Sequence, residues 1–425
     1  MKTPDEKSMA DATGGAVAAI ELDHYRSRRV FWTLFMAAFC SNLGIGIIVP
    51  FLPQYAQQVG AVKLFYVGVI FGFMNLSRLI FLPIMRREAE SGRRSKKTIL
   101  MEGLGFYVLL SISYIWADNA LSLGIVRFFN GFASAMVIPI SMAIVGELAP
   151  VMGEGREMGD FQLSLLAGFG LGPLLGGVLD DIAGFGAAFA SMGALNLFAM
   201  ILVIVALPSY DSSEFTKEKN IRTPPSYRKA LSSRVVMGVL VFRFINFVGR
   251  GASFTFIPIM ATDPKYLSLS NTEIGLIITC IALLAGALGP IFGRMADRVS
   301  RVKLVITGSL GFTWCIAMMP HCRSFWTLLA TGALSGVFGA VALPASAAIS
   351  VVEGRKFGMV TIMTLFEMAT SLGMFFGPPV GGLVGDKYGL AWAFYFSGIL
   401  SLVGTVVFYL LVRHTDADKP LAHGP

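Results

Sequence analysis

The sequence predicts an all-α membrane protein of twelve transmembrane helices, arranged as two similar six-helix halves. Three observations carry that prediction. Of 425 residues, 55% are hydrophobic and only 14% charged, with a mean hydropathy of +0.70; an ordinary soluble domain carries about 25% charged residues. Apolar runs of about 20 residues, the length that crosses a hydrocarbon core, recur along the whole chain. Finally, Gly168, Gly172, Pro173, Gly176 and Gly177 return in the same spacing as Gly373, Gly377, Pro378, Gly381 and Gly382, 205 residues later.

Hydropathy places the spans of the first half near 30–55, 65–86, 97–117, 120–146, 158–180 and 185–208. Those of the second half fall near 235–261, 271–292, 303–319, 324–350, 358–384 and 390–412. The expected organisation is a cytoplasmic tail (1–29), an N-terminal bundle (30–208), a cytoplasmic linker (209–234), a C-terminal bundle (235–412) and a second cytoplasmic tail (413–425). The first 29 residues show no cleavable signal-peptide pattern. With the N-terminus inside, 26 of the 34 Lys and Arg fall on the cytoplasmic side. The other side holds only Lys63, Lys265, Arg323 and Lys387, and four arginines lie within spans. That asymmetry follows the positive-inside rule. It explains the net charge of +8 without a nucleic-acid partner.

The repeat extends beyond one match. Gly68 and Pro83 of the second span correspond to Gly275 and Pro290 of the eighth; Gly131, Ala135 and Pro139 of the fourth correspond to Gly336, Ala340 and Pro344 of the tenth. In the first span Pro50 can be laid on Pro258, which places Asn42 opposite Arg250. Parallel halves related by an axis along the membrane normal are one transporter architecture built from repeats. In the fifth span Gly168, Gly172 and Gly176 are four apart and line one helix stripe. Such a stripe admits close helix approach, and Pro173 within it favours a kink.

Three motifs point to a family. The first span reads LGIGIIVPFLP (43–53), the fourth RFFNGFASA (127–135), and the fifth GDFQLSLLAGFGLGPLLGG (159–177). The last matches G-x8-G-x3-G-P-x2-G-G at every fixed position, from Gly159 through Gly177. Over residues 30–412 the chain resembles a major facilitator superfamily transporter, closest in these motifs to the twelve-span drug:proton antiporters. The resemblance implies the two-bundle fold and transport by rocking around a midplane site. It implies that the glycine-proline stripes of spans five and eleven form the bundle contact sealing one face, and that Arg127 serves substrate or proton coupling. A monomer in a bacterial inner membrane is expected. The family's gate loop is divided unevenly. After the eighth span GRMADRVSR supplies Gly293, Asp297, Arg298 and Arg301; after the second, RREAESGRR supplies Glu90, Gly92 and Arg93 but has Arg86 at the glycine position.

Ionisable residues inside a membrane are costly and default to functional candidates. Besides Arg127 they are Arg78, Arg243, Arg250 and Glu367. A desolvated Glu367 suits a proton carrier, and Arg127 is its expected coupling partner. Arg243 and Arg250 are seven apart with Asn246 between, which predicts one Arg-Asn-Arg face able to bind carboxylate or phosphate; Arg243 could instead snorkel to the interface. Four arginines against one glutamate, with Asn42 in the first span, favour an anionic or zwitterionic substrate exported against protons. The alternatives are a multidrug exporter of lipophilic cations, a transporter of an anionic metal chelate such as a siderophore, and a non-transporting sensor or scaffold. The four histidines lie in loops or tails without metal-ligand spacing, the four cysteines form no CxxC pair, and no P-loop occurs. Neither an enzyme nor a cofactor or metal is expected.

Overall fold

A computed structural model of the chain describes residues 28–90, 93–152, 154–207, 227–357 and 359–413. Most of both tails, most of the polar linker, and Gly92 lie outside the described residues. The helices are α1 (Arg28–Ile48), α2 (Leu52–Gln58), α3 (Leu64–Glu90), α4 (Lys96–Ile115), α5 (Ala120–Met152) and α6 (Glu154–Ala206). A short α7 (Tyr227–Leu231) precedes α8 (Arg234–Thr262), α9 (Asn271–Arg298), α10 (Arg301–Met318), α11 (Phe325–Phe357), α12 (Met359–Tyr388) and α13 (Ala391–Val412).

Ten of these are long and apolar enough to cross a membrane. The longest apolar stretch, Leu163–Ala206, is broken at Gly184, whose φ of 74° and ψ of 176° leave helical space. Only glycine takes that conformation readily, so α6 is two spans meeting at a corner, as the hydropathy minimum after residue 180 predicts. The 30-residue α12, about 45 Å long at 1.5 Å per residue, completes the twelve spans. Side-chain caps fix several starts: Ser95, Ser233, Ser270 and Ser300 each accept from the backbone N–H three residues on.

Pairing repeats between the halves. α3 packs on α5 as α9 packs on α11, and α4 packs on α6 as α10 packs on α13. The glycine stripes lie on the first helix of their own half. A Cβ on Gly168 or Gly172 would strike Phe39 or Gly46 of α1; one on Gly373 or Gly377 would strike Phe244 or Val248 of α8. Gly176 likewise meets Ile47, and Gly381 meets Ala252. Gly168, Gly172 and Gly176, like Gly373, Gly377 and Gly381, therefore pack within their own half. The other residues of the two motifs cross between halves: Gly275 of α9 abuts the Pro173 carbonyl and Gly68 of α3 the Pro378 carbonyl, while Gly177 abuts Asn271 and Gly382 abuts Leu64.

A hydrogen bond corrects the register of the first span. Ser41 Oγ donates to Asn196 Oδ1 and Ser401 Oγ donates to Asn246 Oδ1, both at 2.9 Å. Adding 205 to Ser41 and Asn196 gives Asn246 and Ser401, so the bond is kept with its two residues exchanged. Asn42 thus corresponds to Phe247, and Pro50 and Pro258 are not equivalent. The physical reason is that α1 stops at Ile48, before Pro50, whereas α8 continues through Pro258 to Thr262.

The connections from α3 to α4 and from α9 to α10, with Arg94, Lys96, Arg298 and Arg301 in or beside them, share one end of the bundle, the basic end. At the opposite, far end Tyr66, Trp116, Trp326, Tyr388 and Trp392 are exposed, an aromatic belt at an interface. Contacts between halves concentrate toward the far end. There Thr279 Oγ1 accepts the Leu174 N–H at 3.1 Å, and Gln54 Nε2 reaches the Pro258 carbonyl at 3.4 Å. Among the described residues the contacts between halves run from the far end as far as Gly286, whose Cβ position is 3.7 Å from Leu166, while Gly289 and Gly293, farther along α9, meet no residue of the first half within 4 Å.

Candidate intramembrane site

In the first half the polar residues form a seam between α3, α4 and α5. Arg127 is 2% exposed, with its guanidinium carbon 5.3 Å from the centre of the Phe71 ring. A cation over an aromatic face recovers part of the solvation lost on burial. Its Nε has no protein hydrogen-bond partner; nor have Ser77 Oγ, Arg78 Nε, Asn130 Oδ1 and Ser134 Oγ. Tyr107 stands beside Ser134, and Tyr114 beside Arg127, without hydrogen bonds of good geometry. A buried polar group costs about 1–3 kcal/mol when it is left unpaired, so this seam calls for water or a ligand to satisfy it.

The second half disposes its arginines differently. Arg243 is 9% exposed and held on three sides: its Nε donates to Thr370 Oγ1 at 2.9 Å, and its guanidinium carbon lies 3.7 Å from the Phe366 ring and 4.6 Å from the Phe247 ring. It does not snorkel. Arg250, two turns on, lies 3.7 Å from the Phe312 ring. Gly339 of α11 leaves room for its guanidinium, which would come within 3.5 Å of a Cβ there. Arg250 Nε, Ser309 Oγ and Thr313 Oγ1 have no protein partner.

Glu367 is exposed on α12 rather than desolvated as expected. No ion pair among the described residues joins it to Arg127 or to Arg243, though its charge bears on Arg243. It lies one turn before Thr370, which Arg243 Nε reaches, while Arg127 stands against Phe71 of α3. Asn246 departs from its predicted place between the two arginines. It accepts from Ser401 of α13 and is 2% exposed, because the hydrogen bond between α8 and α13 captures its side chain. Asn42, 7% exposed, donates to the Ala38 carbonyl of its own helix at 2.9 Å, beside Gly168.

At the basic end Arg298 and Arg93 are exposed, Arg301 is buried and donates to the Ala296 carbonyl at 3.2 Å, and Gly293 has only Pro344 of its own half nearby, at 3.9 Å. Gly92 and the side chains of Glu90 and Asp297 lie outside the described residues, and Gly159 stands in the opening turns of α6. Sequence reading missed Glu353, a 4% exposed carboxylate of α11. It accepts from Lys356 at 2.6 Å and from Ser233, the cap of α8, at 3.3 Å. It also missed the Arg94–Glu102 ion pair. The spacing Glu353-x-x-Lys356 on one helix face was the available signal for the first.

The sequence model of the Major Facilitator Superfamily matches residues 34–263 and, again, 239–424. The chain is 26% identical over 386 residues to the uncharacterized MFS-type transporter MJ1560 of Methanocaldococcus jannaschii, covering 90% of this chain and 98% of that one. It is 25% identical over 391 residues to the multidrug resistance protein MdtG of Proteus mirabilis, covering 90% and 94%. Among solved structures, a bacterial homolog of the human lysosomal transporter Spinster, inward-facing and unoccupied, superposes with a TM-score of 0.79 at 12% identity, over 93% of this chain and 99% of that one.

Proposed function

Because the chain belongs to the major facilitator superfamily and is a multi-pass membrane transporter, we propose that it exchanges protons for a small organic anion or zwitterion, exporting it by alternating access. The substrate class rests on the balance of intramembrane charge. Arg78, Arg127, Arg243 and Arg250 stand against Glu367 and against Glu353, which Lys356 and Ser233 already engage, and the first-half arginines border a polar seam without protein partners. A guanidinium without a carboxylate partner gains most from an anionic ligand, through charge-assisted and bidentate hydrogen bonds.

In this reading the basic end faces the cytoplasm, both termini lie there, residues 209–234 link the bundles on that side, and the protein works as a monomer. Substrate enters from the basic end, where Gly289 and Gly293 meet no residue of the first half. Glu367, exposed and acting on Arg243, carries the proton: protonation removes its hold on the arginine charge and leaves Arg243 and Arg250 to the substrate. Arg127 and its seam supply the facing wall. The test is transport in proteoliposomes under an imposed pH gradient. Gradient-driven flux of organic anions supports the proposal; gradient-driven flux of lipophilic cations alone refutes it. The second reading, a multidrug exporter of lipophilic cations, is favoured by the name of the MdtG relative and by the aromatic rings of Phe71, Phe247, Phe312 and Phe366, which already hold guanidinium cations.

A further inference from the structure

We propose, resting on the alternating-access reading above, that Asp181 and Asp386 are a matched pair of latches that hold the far end shut and set the balance between the two access states. Asp181 lies in α6, three residues before the corner at Gly184. Its Oδ1 accepts the Asn271 N–H at 3.1 Å, and its Oδ2 accepts the Thr272 N–H at 2.7 Å and the Thr272 hydroxyl at 2.5 Å. The neighbouring Asp180 Oδ2 accepts from Asn271 Nδ2 at 2.6 Å. Asp386, near the end of α12, uses both oxygens: Oδ1 accepts the Leu64 N–H at 2.8 Å and Oδ2 the Phe65 N–H at 2.9 Å.

Each carboxylate therefore caps the first turn of a helix belonging to the other half. Asp181 of the first half caps α9, and Asp386 of the second caps α3. The acceptors are 205 residues apart, the offset of the glycine stripes; the donors are 207 apart, the offset of Gly68 and Gly275. One device has been kept in both repeats. The first N–H groups of a helix lack intrahelical partners and carry the positive end of its dipole, so a carboxylate is their natural ligand. Bonds of this kind usually come from the residue just before the helix. Here they cross between halves and exist only while the far end is closed. Both aspartates are exposed, so each side is hydrated when the halves separate, and neither half loses an internal bond. The effect falls on the equilibrium between states. The capping box of α9 occupies the Ser270 and Glu273 N–H groups, and leaves those of Asn271 and Thr272 to Asp181; α3 has no acidic residue of its own in its first turn.

The test uses the full chain in lipid nanodiscs without substrate, with Cys40, Cys280, Cys315 and Cys322 replaced by alanine. Spin labels at Trp116→Cys and Arg323→Cys, exposed far-end positions of opposite halves, report far-end separation by pulsed electron resonance. Labels at Arg87→Cys and Val299→Cys report the basic end. Asp386→Ala and Asp181→Ala are each expected to shift the open-to-closed ratio at the far end about fivefold, the usual value of one cap, and the double variant most. If the alanine variants do not fold, Asp386→Asn and Asp181→Asn keep one acceptor oxygen and shift the ratio the same way by less. An unchanged distribution in folded variants overturns the latch. So does an equal shift from Asp118→Ala, a far-end aspartate whose hydrogen bond among the described residues is to its neighbour Asn119. Far-end opening without basic-end closing supports the latch while contradicting alternating access.

Discussion

Gly172→Ala places a methyl group against backbone rather than side chain. Its Cβ would stand 2.5 Å from Gly46 Cα and 2.7 Å from Ile47 N, where carbon atoms in good contact are about 3.5 Å apart. Neither neighbour can swing aside, because both belong to the rigid α1 backbone. α1 and α6 must therefore separate by about 1 Å along the whole stripe, loosening the neighbouring contacts at Gly168 and Gly176 as well. Overpacking of this kind costs about 1–3 kcal/mol, while alanine returns about 1 kcal/mol of helix propensity. The expected net loss is up to about 2 kcal/mol, or a few degrees of melting temperature. Gly289→Ala is the matched control, since nothing lies within 4 Å of its Cβ position and only the propensity gain remains. Fluorescence-detected melting of both variants in one detergent should show Gly172→Ala below the parent protein and Gly289→Ala at or above it. Equal shifts would refute the claim that close helix approach, rather than glycine as such, is what the stripe supplies.

Glu367→Gln is expected to abolish pH-gradient-driven flux while leaving substrate exchange without a gradient; full retention of the pH dependence would remove Glu367 from the coupling. Asn246→Ala should lower the melting temperature by the loss of the Ser401 bond, worth about 0.6 kcal/mol for a typical interhelical bond in a membrane, and leave substrate affinity unchanged; a tenfold affinity loss with intact stability would restore it to the binding face. Gly184→Ala forces a side chain into a left-handed corner and should destabilise the α6 junction by about 1 kcal/mol or more, read as a lower melting temperature; an unchanged melt would mean that the corner relaxes freely.

Much of the fold was legible because hydropathy and glycine spacing act locally. The twelve spans, the 205-residue repeat and the break after residue 180 all follow from residues read along one helix. The slip in the first span shows where such reading fails. Pro50 and Pro258 look equivalent in sequence, but one lies beyond the end of α1 and the other inside α8, a difference that tertiary packing decides. Asn246 was placed correctly on the α8 helix, yet Ser401 of α13 turned its side chain to structural use. Arg243 and Arg250 were legible as buried cations, whereas their aromatic partners Phe366 and Phe312 come from other helices. The Asp181 and Asp386 caps had no local signature, since donor and acceptor lie 90 or more residues apart.

The claim that the intramembrane arginines select an anion is tested most directly by ligand-induced thermal stabilisation of the purified full chain. A ligand that binds only the folded state raises its melting temperature, the more so as its concentration exceeds its dissociation constant. Organic anions and lipophilic cations should be compared at equal concentration, on the parent protein and on Arg250→Ala. The account predicts stabilisation by anions that is lost in Arg250→Ala. Stabilisation by cations alone, undiminished in that variant, would contradict it.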